Sequence, residues 1–276
     1  MEQTLPNRIW TFWEPKTALP GYIQLCLKTW QKGLPNSEVI VLDYENLDEY
    51  FTSEEQNAAV LKTMTLPMQS DCIRCAILKK YGGIWLDADS IFTKSLDSRF
   101  TQADVTMVAR IREGKIFNYG AFICALRPEA KFLCDWYKEL VVRVDKARKY
   151  RDSILYYLFK HRAWRQMRRW NYCVNAIIDP LAAGADAKDY VYLPQETVNA
   201  LPEERLMTSE GDAEFWQVYQ DFWFRPGDPA EALKDNAGLI MLHNSWTPSE
   251  YRAMAAADFL KTPTRLAALL RQLLEV

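Results

Sequence analysis

The chain has 276 residues, of which 49% are hydrophobic and 25% charged, and its formal net charge is −2. This composition excludes an intrinsically disordered protein, and no apolar run reaches the roughly 18 to 20 residues of a membrane-spanning helix. The first six residues lack the basic and apolar regions of a signal peptide, and the six cysteines stand in apolar contexts. We therefore expect a cytoplasmic protein with buried free thiols.

Tryptophan and histidine depart from ordinary usage. The chain contains ten Trp, more than a core needs, and exposed aromatic faces serve as stacking platforms for sugars and bases. It contains only two histidines, His161 and His243. This scarcity argues against a histidine-rich metal site and against nucleophilic catalysis that depends on histidine.

The predicted elements alternate between strand and helix over the first 125 residues. Apolar runs and turn residues predict strands over 7–13, 39–42, 84–86, 105–109 and 117–126. Helical periodicity with terminal Gly and Pro signals predicts helices over 21–32, 46–60 and 69–81. This alternation is typical of an α/β fold with a mostly parallel central sheet.

The rest of the chain is predicted to be mainly helical. The predicted elements are a helix over 129–146 continuing to about 170, strands over 190–193 and 239–242, and helices near 249–261 and 263–274. Ligands of parallel sheets bind at the carboxyl ends of strands. The side chains predicted at such ends are Trp13, Asp43, Asp87, Asp89 and His243.

Two carboxylates, Asp87 and Asp89, directly follow the apolar strand 84–86. Their i, i+2 spacing would point both to the same side of an extended segment. Paired oxygen ligands of this kind suit Mg²⁺ or Mn²⁺, and such a metal neutralises a diphosphate leaving group. The alternative is that two surface aspartates follow a strand by chance.

A carboxylate and a guanidinium, Asp71 and Arg74, lie one helical turn apart within the helix 69–81. Side by side, they can accept from and donate to vicinal hydroxyls. The alternative is an ordinary ion pair on the helix surface. Cys72 and Cys75 in the same turn have no second ligand pair at zinc spacing, so we interpret them as thiols that face the core.

The late segment His243-Asn244-Ser245-Trp246 follows the apolar run 239–242. A histidine can complete the coordination of a divalent metal, and the Asn, Ser and indole groups can donate to phosphate oxygens. The alternative is a structural histidine at the end of a strand.

Together, Ser70-Asp71-x-x-Arg74, Tyr81-Gly-Gly-x-x-x-Asp87-x-Asp89 and His243-x-Ser245-Trp246 resemble the GT-A glycosyltransferases of family 32 type. The nearest branch is that of the bacterial capsular polysaccharide synthesis proteins. The opening 5–13 is similar to the first strand of the family, and Asn118 matches an asparagine on a later strand. Relatives often have Asp-Ala-Ser where this chain has Asp87-Ala88-Asp89. The second carboxylate in this chain favours metal binding.

The resemblance implies a single Rossmann-like GT-A domain over 1–276 with a helical basic insert and C-terminal helices. Residues 1–130 would bind the donor, 131–237 would form a helical region on the acceptor side, and 238–276 would close on the donor.

The implied reaction is a retaining, metal-dependent transfer from a nucleotide diphosphate sugar, expected to be a UDP-sugar. The cofactor would be Mn²⁺ or Mg²⁺, and the acceptor a saccharide or lipid-linked glycan in capsular or surface polysaccharide synthesis.

The resemblance also implies a role for each matching residue. In the nucleotide and sugar pocket, Trp13 would stack on the base, Asp43 would lie near base or ribose, Asp71 and Arg74 would hold sugar hydroxyls, and Asn118 would face the donor sugar. At the reacting bond, Asp87 would contact ribose or metal-bound water, Asp89 would bind the metal, and His243, Ser245 and Trp246 would close on metal and diphosphate. Asp87, Asp89 and Asn118 are the catalytic candidates.

Two other functional interpretations of the Asp87-x-Asp89 pair stay open. A phosphatase of the haloacid dehalogenase type would use Asp87 as a covalent nucleophile, with Gly211-Asp212 as a weak candidate for its acidic metal motif. A non-catalytic carbohydrate-binding relative is the other reading.

Residues 138–170 carry a charge of +8, whereas the remainder carries −10. Aromatic residues interleave with the basic ones over 143–170, and we expect this segment to face the acceptor or an anionic membrane surface through Arg165, Arg168 and Arg169. The alternative is a helical insert packed on the sheet. The net acidic chain offers no nucleic-acid-binding motif.

Overall fold

A computed structural model describes residues 4–59, 64–151, 171–195, 213–233 and 238–276. The chain divides into two compact units. The first unit comprises Met1–Lys16, Glu38–Leu86 and Ser98–Leu193, and the second comprises Thr17–Ser37, Asp87–Asp97 and Pro194–Val276.

The strands and helices of the described residues are numbered in chain order. The strands are β1 (Arg8–Phe12), β2 (Glu38–Leu42), β3 (Gly83–Leu86), β4 (Ser90–Phe92), β5 (Val105–Arg112), β6 (Lys115–Ala125), β7 (Tyr190–Pro194) and β8 (Leu239–Met241). The helices are α1 (Gly21–Lys28), α2 (Trp30–Gly33), α3 (Leu47–Tyr50), α4 (Ser53–Ala59), α5 (Leu66–Tyr81), α6 (Lys131–Arg151), α7 (Asn175–Ala183), α8 (Ala213–Phe224), α9 (Ser249–Ala253), α10 (Ala256–Lys261) and α11 (Arg265–Leu274).

The first unit contains a six-stranded sheet in the order β2-β1-β3-β6-β5-β7. β1 pairs in parallel with β2 and β3, whereas β6 runs antiparallel to β3 and β5. All four residues of β3 are buried, which explains its continuous apolar sequence. The predicted α/β fold is confirmed. Its parallel pairs are formed by β1, β2 and β3, which come from the amino-terminal part of the chain.

A two-glycine turn connects α5 to β3. Gly82 and Gly83 have φ values of 65° and 103°, which glycine adopts without strain. A Cβ on Gly83 would lie 2.6 Å from Trp10 Nε1, and that indole donates to the Gly82 carbonyl over 2.9 Å. The Tyr81-Gly-Gly motif thus fixes where β3 begins. Because β3 has four residues, the motif also fixes the position of Asp87, which directly follows β3.

The core of the first unit lies against α5, α6 and α7. The cysteines of α5, Cys72 and Cys75, are fully buried in it, which confirms them as core-facing thiols. Trp136 of α6 donates to the Cys173 carbonyl over 3.0 Å and so fastens α6 to the segment before α7. All six cysteines are free, and Cys134 is the one that is not buried.

The second unit combines the antiparallel pair β4–β8 with α1, α2 and α8 to α11. Trp30 donates to the Ser90 carbonyl over 2.8 Å, and Lys32 donates to the Leu273 carbonyl over 2.6 Å. These bonds hold α2 to β4 and to the end of α11. No helix among the described ranges is long and apolar enough to cross a membrane.

Three predicted helices are interrupted. The helix 21–32 breaks at Thr29, whose hydroxyl donates to the Cys26 carbonyl over 2.6 Å. The helix 46–60 is two short helices, α3 and α4, and the helix 249–261 is α9 and α10. The structure also contains elements that the sequence did not predict, namely β4, α7 and α8.

Several predictions fall outside the described residues. They concern the basic residues Arg165, Arg168 and Arg169, the histidine His161, and Gly211-Asp212. Within the described part, α6 carries the basic segment as a helix as far as Arg151.

Candidate functional site

In the second unit, the β4–β8 pair brings the Asp87-x-Asp89 motif to the segment that begins at His243. The register joins Ser90 to Met241, so the residue before β4 lies beside the residues after β8. The Leu242 amide donates to the Asp89 carbonyl over 3.1 Å, and the Asn244 amide donates to Asp89 Oδ2 over 2.7 Å. The sequence separates these two residues by 155 positions.

Two buried tyrosines support this junction. Tyr22 donates to Asn244 Oδ1 over 2.6 Å, and the His243 amide donates to the Tyr219 hydroxyl over 3.0 Å. Burial, together with the nearby charge of Asp89, raises the pKa of both tyrosines, so their hydroxyls stay protonated. The sequence analysis did not single out Tyr22 or Tyr219, because nothing local marks them.

Aromatic rings surround His243. The Trp246 ring lies 3.9 Å from the imidazole between centroids, and the Tyr219 ring lies 5.7 Å from it. Burial lowers the pKa of His243 to about 4, so its imidazole is neutral at pH 7. Trp216 of α8 packs edge-on to Trp246 at 4.8 Å, and Gln220 donates to the Trp246 carbonyl over 3.0 Å.

The donor atoms of Asp87, Asp89 and His243 are those that Mg²⁺ and Mn²⁺ accept. Among the described residues, no group of three or more His, Cys, Asp or Glu side chains is arranged to hold a metal ion by itself. Mg²⁺ commonly uses one or two carboxylates and takes its other ligands from water and substrate phosphates. The donor chemistry of these three residues suits such a cation, and the metal itself stays a prediction.

In the first unit, Trp13 and Asp43 follow the parallel strands β1 and β2. The Trp13 amide donates to the Leu42 carbonyl over 3.0 Å, which continues the β1–β2 pairing beyond β1. Asp43 is buried, and its Oδ1 accepts from the amides of Glu45 and Asn46, each over 3.1 Å. One Asp43 oxygen therefore organises the turn before α3.

Asp71 and Arg74 form the predicted pair on α5. Arg74 Nη1 lies 3.3 Å from Asp71 Oδ1, and both side chains are less than 10% exposed, so this is not an ordinary surface ion pair. The guanidinium carbon lies 5.2 Å from the centroid of the Trp85 ring on β3. A buried charge pair flanked by an aromatic ring is rigid, because its partners restrict its rotamers.

Asn118 of β6 is held in a hydrogen-bonded group that the sequence analysis did not foresee. Its backbone amide and its Nδ2 each donate to Asp179 Oδ1 over 2.9 Å. The Tyr190 hydroxyl donates to Asn118 Oδ1, and Asn175 Nδ2 donates to the Asn118 carbonyl over 2.6 Å. Asn175 and Asp179 are i, i+4 on α7, a spacing that could have marked them had α7 been predicted.

The sequence pattern of the family described as "Capsular polysaccharide synthesis protein" matches residues 1–168. This chain belongs to the capsular polysaccharide synthesis protein family. The match contains β1 to β6 and the motifs around Arg74 and Asp89, whereas the His243 segment lies beyond it. No curated protein sequence matches this capsular synthesis protein.

Several solved structures that are similar to this chain are named as glycosyltransferases. The galactosyltransferase LgtC, in complex with donor and acceptor sugar analogs, is 10% identical, with a TM-score of 0.41 over 95% of each chain. The PaToxG glycosyltransferase is 11% identical, with a TM-score of 0.40 over 65% of this chain and 69% of the other. GlyE from Streptococcus pneumoniae is 10% identical, with a TM-score of 0.40 over 99% of this chain and 64% of the GlyE chain.

Proposed function

We propose that this protein is a metal-dependent glycosyltransferase that moves a sugar from a UDP-sugar to a saccharide acceptor in capsular polysaccharide synthesis. The observation that carries the proposal is the hydrogen bond of 2.7 Å from the Asn244 amide to Asp89 Oδ2. It joins two motifs that are distant in the sequence and that together contain the carboxylate, imidazole, hydroxyl and indole groups suited to a metal diphosphate. Membership of the family supports saccharide chemistry.

The motifs Asp87-x-Asp89 and His243-x-Ser245-Trp246 would supply the groups for the leaving diphosphate. Asp87, Asp89 and His243 would hold Mn²⁺ or Mg²⁺, which when bound neutralises charge on the departing diphosphate. His243 can act as a ligand at pH 7 because burial lowers its pKa to about 4. Ser245 and Trp246 would each donate a hydrogen bond to phosphate oxygens.

Other residues matched by the resemblance would supply the groups for the nucleoside and the sugar. Arg74 donates and Asp71 accepts, so the pair suits two neighbouring hydroxyls of a hexose. Trp13 would stack on the base, and Asp43 would bind base or ribose. Asn118 would bind the donor sugar.

The stereochemical course follows from the absence of a convincing nucleophile among the candidate residues. We propose that the acceptor hydroxyl attacks the anomeric carbon on the face from which the diphosphate departs. The acceptor oxygen–carbon bond forms as the carbon–diphosphate oxygen bond breaks, and the hydroxyl proton passes to the departing diphosphate. Retention is checked by the anomeric coupling constant of the product in a proton NMR spectrum. A covalent glycosyl-enzyme trapped in a mass spectrum would contradict the front-face course.

The activity is tested with UDP-glucose, UDP-galactose, UDP-N-acetylglucosamine and GDP-mannose, each with Mn²⁺. We expect slow release of nucleoside diphosphate from at least one donor, its loss in Asp89→Ala and its loss in excess EDTA. The control is Asp258→Ala, which removes an exposed carboxylate that pairs with Lys261 within α10. Release of phosphate from p-nitrophenyl phosphate with no turnover of any donor would favour the phosphatase instead.

For the acceptor side, we propose that the basic segment 143–170 faces the glycan acceptor or an anionic membrane surface. The support is its charge and its aromatic content. Vesicles of phosphatidylglycerol are expected to sediment the wild-type protein more than the Arg165→Glu, Arg168→Glu, Arg169→Glu triple variant. Equal sedimentation of the two proteins would contradict the membrane contact.

A further inference from the structure

The side-chain amide of Asn118 is held at both of its ends. Its Nδ2 donates to Asp179 Oδ1 over 2.9 Å, and its Oδ1 accepts from the Tyr190 hydroxyl. Asn118 is 3% exposed, so these bonds are made away from bulk water, where exchanging the two ends of the amide would place its oxygen against the Asp179 carboxylate and leave that carboxylate without its donor. The orientation of the amide is therefore determined by its neighbours.

Both partners are themselves fixed. The Tyr190 ring stacks on Phe132 of α6, with centroids 4.7 Å apart and planes 19° apart. Burial, with the charge of Asp179 as a second cause, raises the pKa of Tyr190, so its hydroxyl stays protonated and donates. Asp179 also accepts from the Asn118 backbone amide over 2.9 Å, which ties α7 to β6 at this residue.

The bonds leave the amide with one kind of group to offer. A primary amide has two N–H donors, of which one is bound to Asp179, and its oxygen is bound to Tyr190. The remaining N–H can donate to an oxygen of a ligand. We propose that Asp179 and Tyr190 are positioning residues that make Asn118 present an N–H group to an oxygen of the donor sugar. This inference rests on the proposed function.

The test compares four variants for stability, for UDP affinity and for hydrolysis of UDP-glucose, UDP-galactose and UDP-N-acetylglucosamine with Mn²⁺. In Tyr190→Phe and Asp179→Ala, we expect kcat/KM for donor hydrolysis to fall about tenfold or more, because each variant removes one of the two bonds that fix the amide. The amide oxygen loses its donor in the first variant, and Nδ2 loses its acceptor in the second. The Kd of UDP from calorimetry should stay within about twofold, because UDP lacks the transferred sugar that Asn118 is proposed to contact.

The exchange of two side chains separates positioning from structure. Asn118→Asp places two carboxylates together and should lower both the melting temperature and kcat/KM. The double variant Asn118→Asp, Asp179→Asn restores a donor–acceptor pair between the same positions. We expect it to recover only part of the melting temperature lost in Asn118→Asp, because Asp179 Oδ1 accepts from both the backbone amide and the Nδ2 of Asn118 and one atom of an asparagine cannot both accept and donate there. We expect it not to recover kcat/KM, because the side chain at position 118 no longer carries an N–H group.

A matched control is Tyr251→Phe, which removes a hydroxyl that donates to the Phe224 carbonyl over 3.5 Å in the second unit. It should leave kcat/KM for donor hydrolysis within about twofold of wild type. The inference would be overturned by unchanged kcat/KM in Tyr190→Phe and Asp179→Ala, or by recovery of kcat/KM in the double variant. It would also be overturned if the double variant melted no higher than Asn118→Asp. Absence of turnover by the wild type would instead contradict the proposed function.

Discussion

Gly120 of β6 makes room for the Arg74 guanidinium. A Cβ built on Gly120 would overlap Arg74 Nη1 and would lie 3.1 Å from Val174 Cγ2. The backbone of Gly120 does not have a positive φ, so alanine there adds a side-chain contact without backbone strain. The substitution Gly120→Ala is thus a direct probe of how firmly Arg74 is held.

The cost follows from what the guanidinium must leave. It lies 3.3 Å from Asp71 Oδ1 and 5.2 Å from the centroid of the Trp85 ring. Breaking a buried ion pair costs about 3 to 5 kcal/mol, and a cation–π contact contributes about 0.5 to 2 kcal/mol. Because the guanidinium is displaced and not removed, we expect Gly120→Ala to lower the free energy of unfolding by about 2 to 4 kcal/mol.

The assay is urea denaturation of Gly120→Ala in the wild-type chain and in Arg74→Met. Methionine keeps the aliphatic stem and lacks the nitrogen that the new Cβ would meet, so alanine should cost less than about 1 kcal/mol in that background. The remaining cost comes from Val174. An equal loss of unfolding free energy in both backgrounds would show that Arg74 is not what limits the size of residue 120.

Three further predictions concern stability and reactivity. Burial raises the pKa of Cys124 to about 12, and Cys134 is the one cysteine that is not buried. We therefore expect DTNB at pH 8 to react fast with one thiol per native chain and with six in denaturant. More than one fast-reacting thiol in the native protein would contradict this packing. Thr264 Oγ1 accepts from the Ala267 amide at the start of α11 over 3.2 Å; Thr264→Ala should cost about 1 kcal/mol in urea denaturation and Thr264→Ser much less. Burial lowers the pKa of His243 from 6.5 to about 4. The free energy of unfolding, measured in EDTA, should therefore be highest above pH 6.5 and should decrease by up to about 3 kcal/mol as the pH falls toward 4. The same pH dependence of the unfolding free energy in His243→Asn would refute this.

The parallel part of the fold could be predicted because β1 and β3 are buried on both faces, and β2 at the edge of the sheet is still mainly apolar. β1, β2 and β3 appear in the sequence as short apolar runs, each followed by a polar residue or a turn. The Gly82-Gly83 pair then marks the turn into β3, so the position of Asp87 could be read directly. The same logic failed for β4, which has three residues and is defined by its pairing with β8.

The interrupted helices have two different causes. The break between α3 and α4 has a local signal, since Thr52 and Glu55 form a capping box in which each binds the backbone amide of the other, over 2.8 and 3.2 Å. The break between α9 and α10 has none. There α1 passes so closely that a Cβ on Gly21 would lie 2.3 Å from the Ala256 nitrogen. Tertiary contact of this kind overrides helix propensity.

The residues of the candidate site also fall into two groups, those that the sequence could predict and those that it could not. Asp71 with Arg74 could be found because one helical turn sets their geometry. Asp87 with Asp89 could be found from their place after β3, but their expected extended geometry was wrong, because residues 88 and 89 form a turn in which the Ser90 amide donates to the Asp87 carbonyl over 3.0 Å. Asp179 could not be found, because it lies 61 positions from Asn118 and in a helix with Pro180 in its interior.

This difference bears on how Asn118 should be interpreted. A motif names the one residue that matches a family pattern, whereas the chemical character of that residue depends on partners that the motif does not contain. An asparagine can offer a carbonyl oxygen or an N–H group, and here Asp179 and Tyr190 make the choice. The group that a motif residue presents is therefore a property of the tertiary structure, and substitutions of Asp179 or Tyr190 should change it while the motif stays intact.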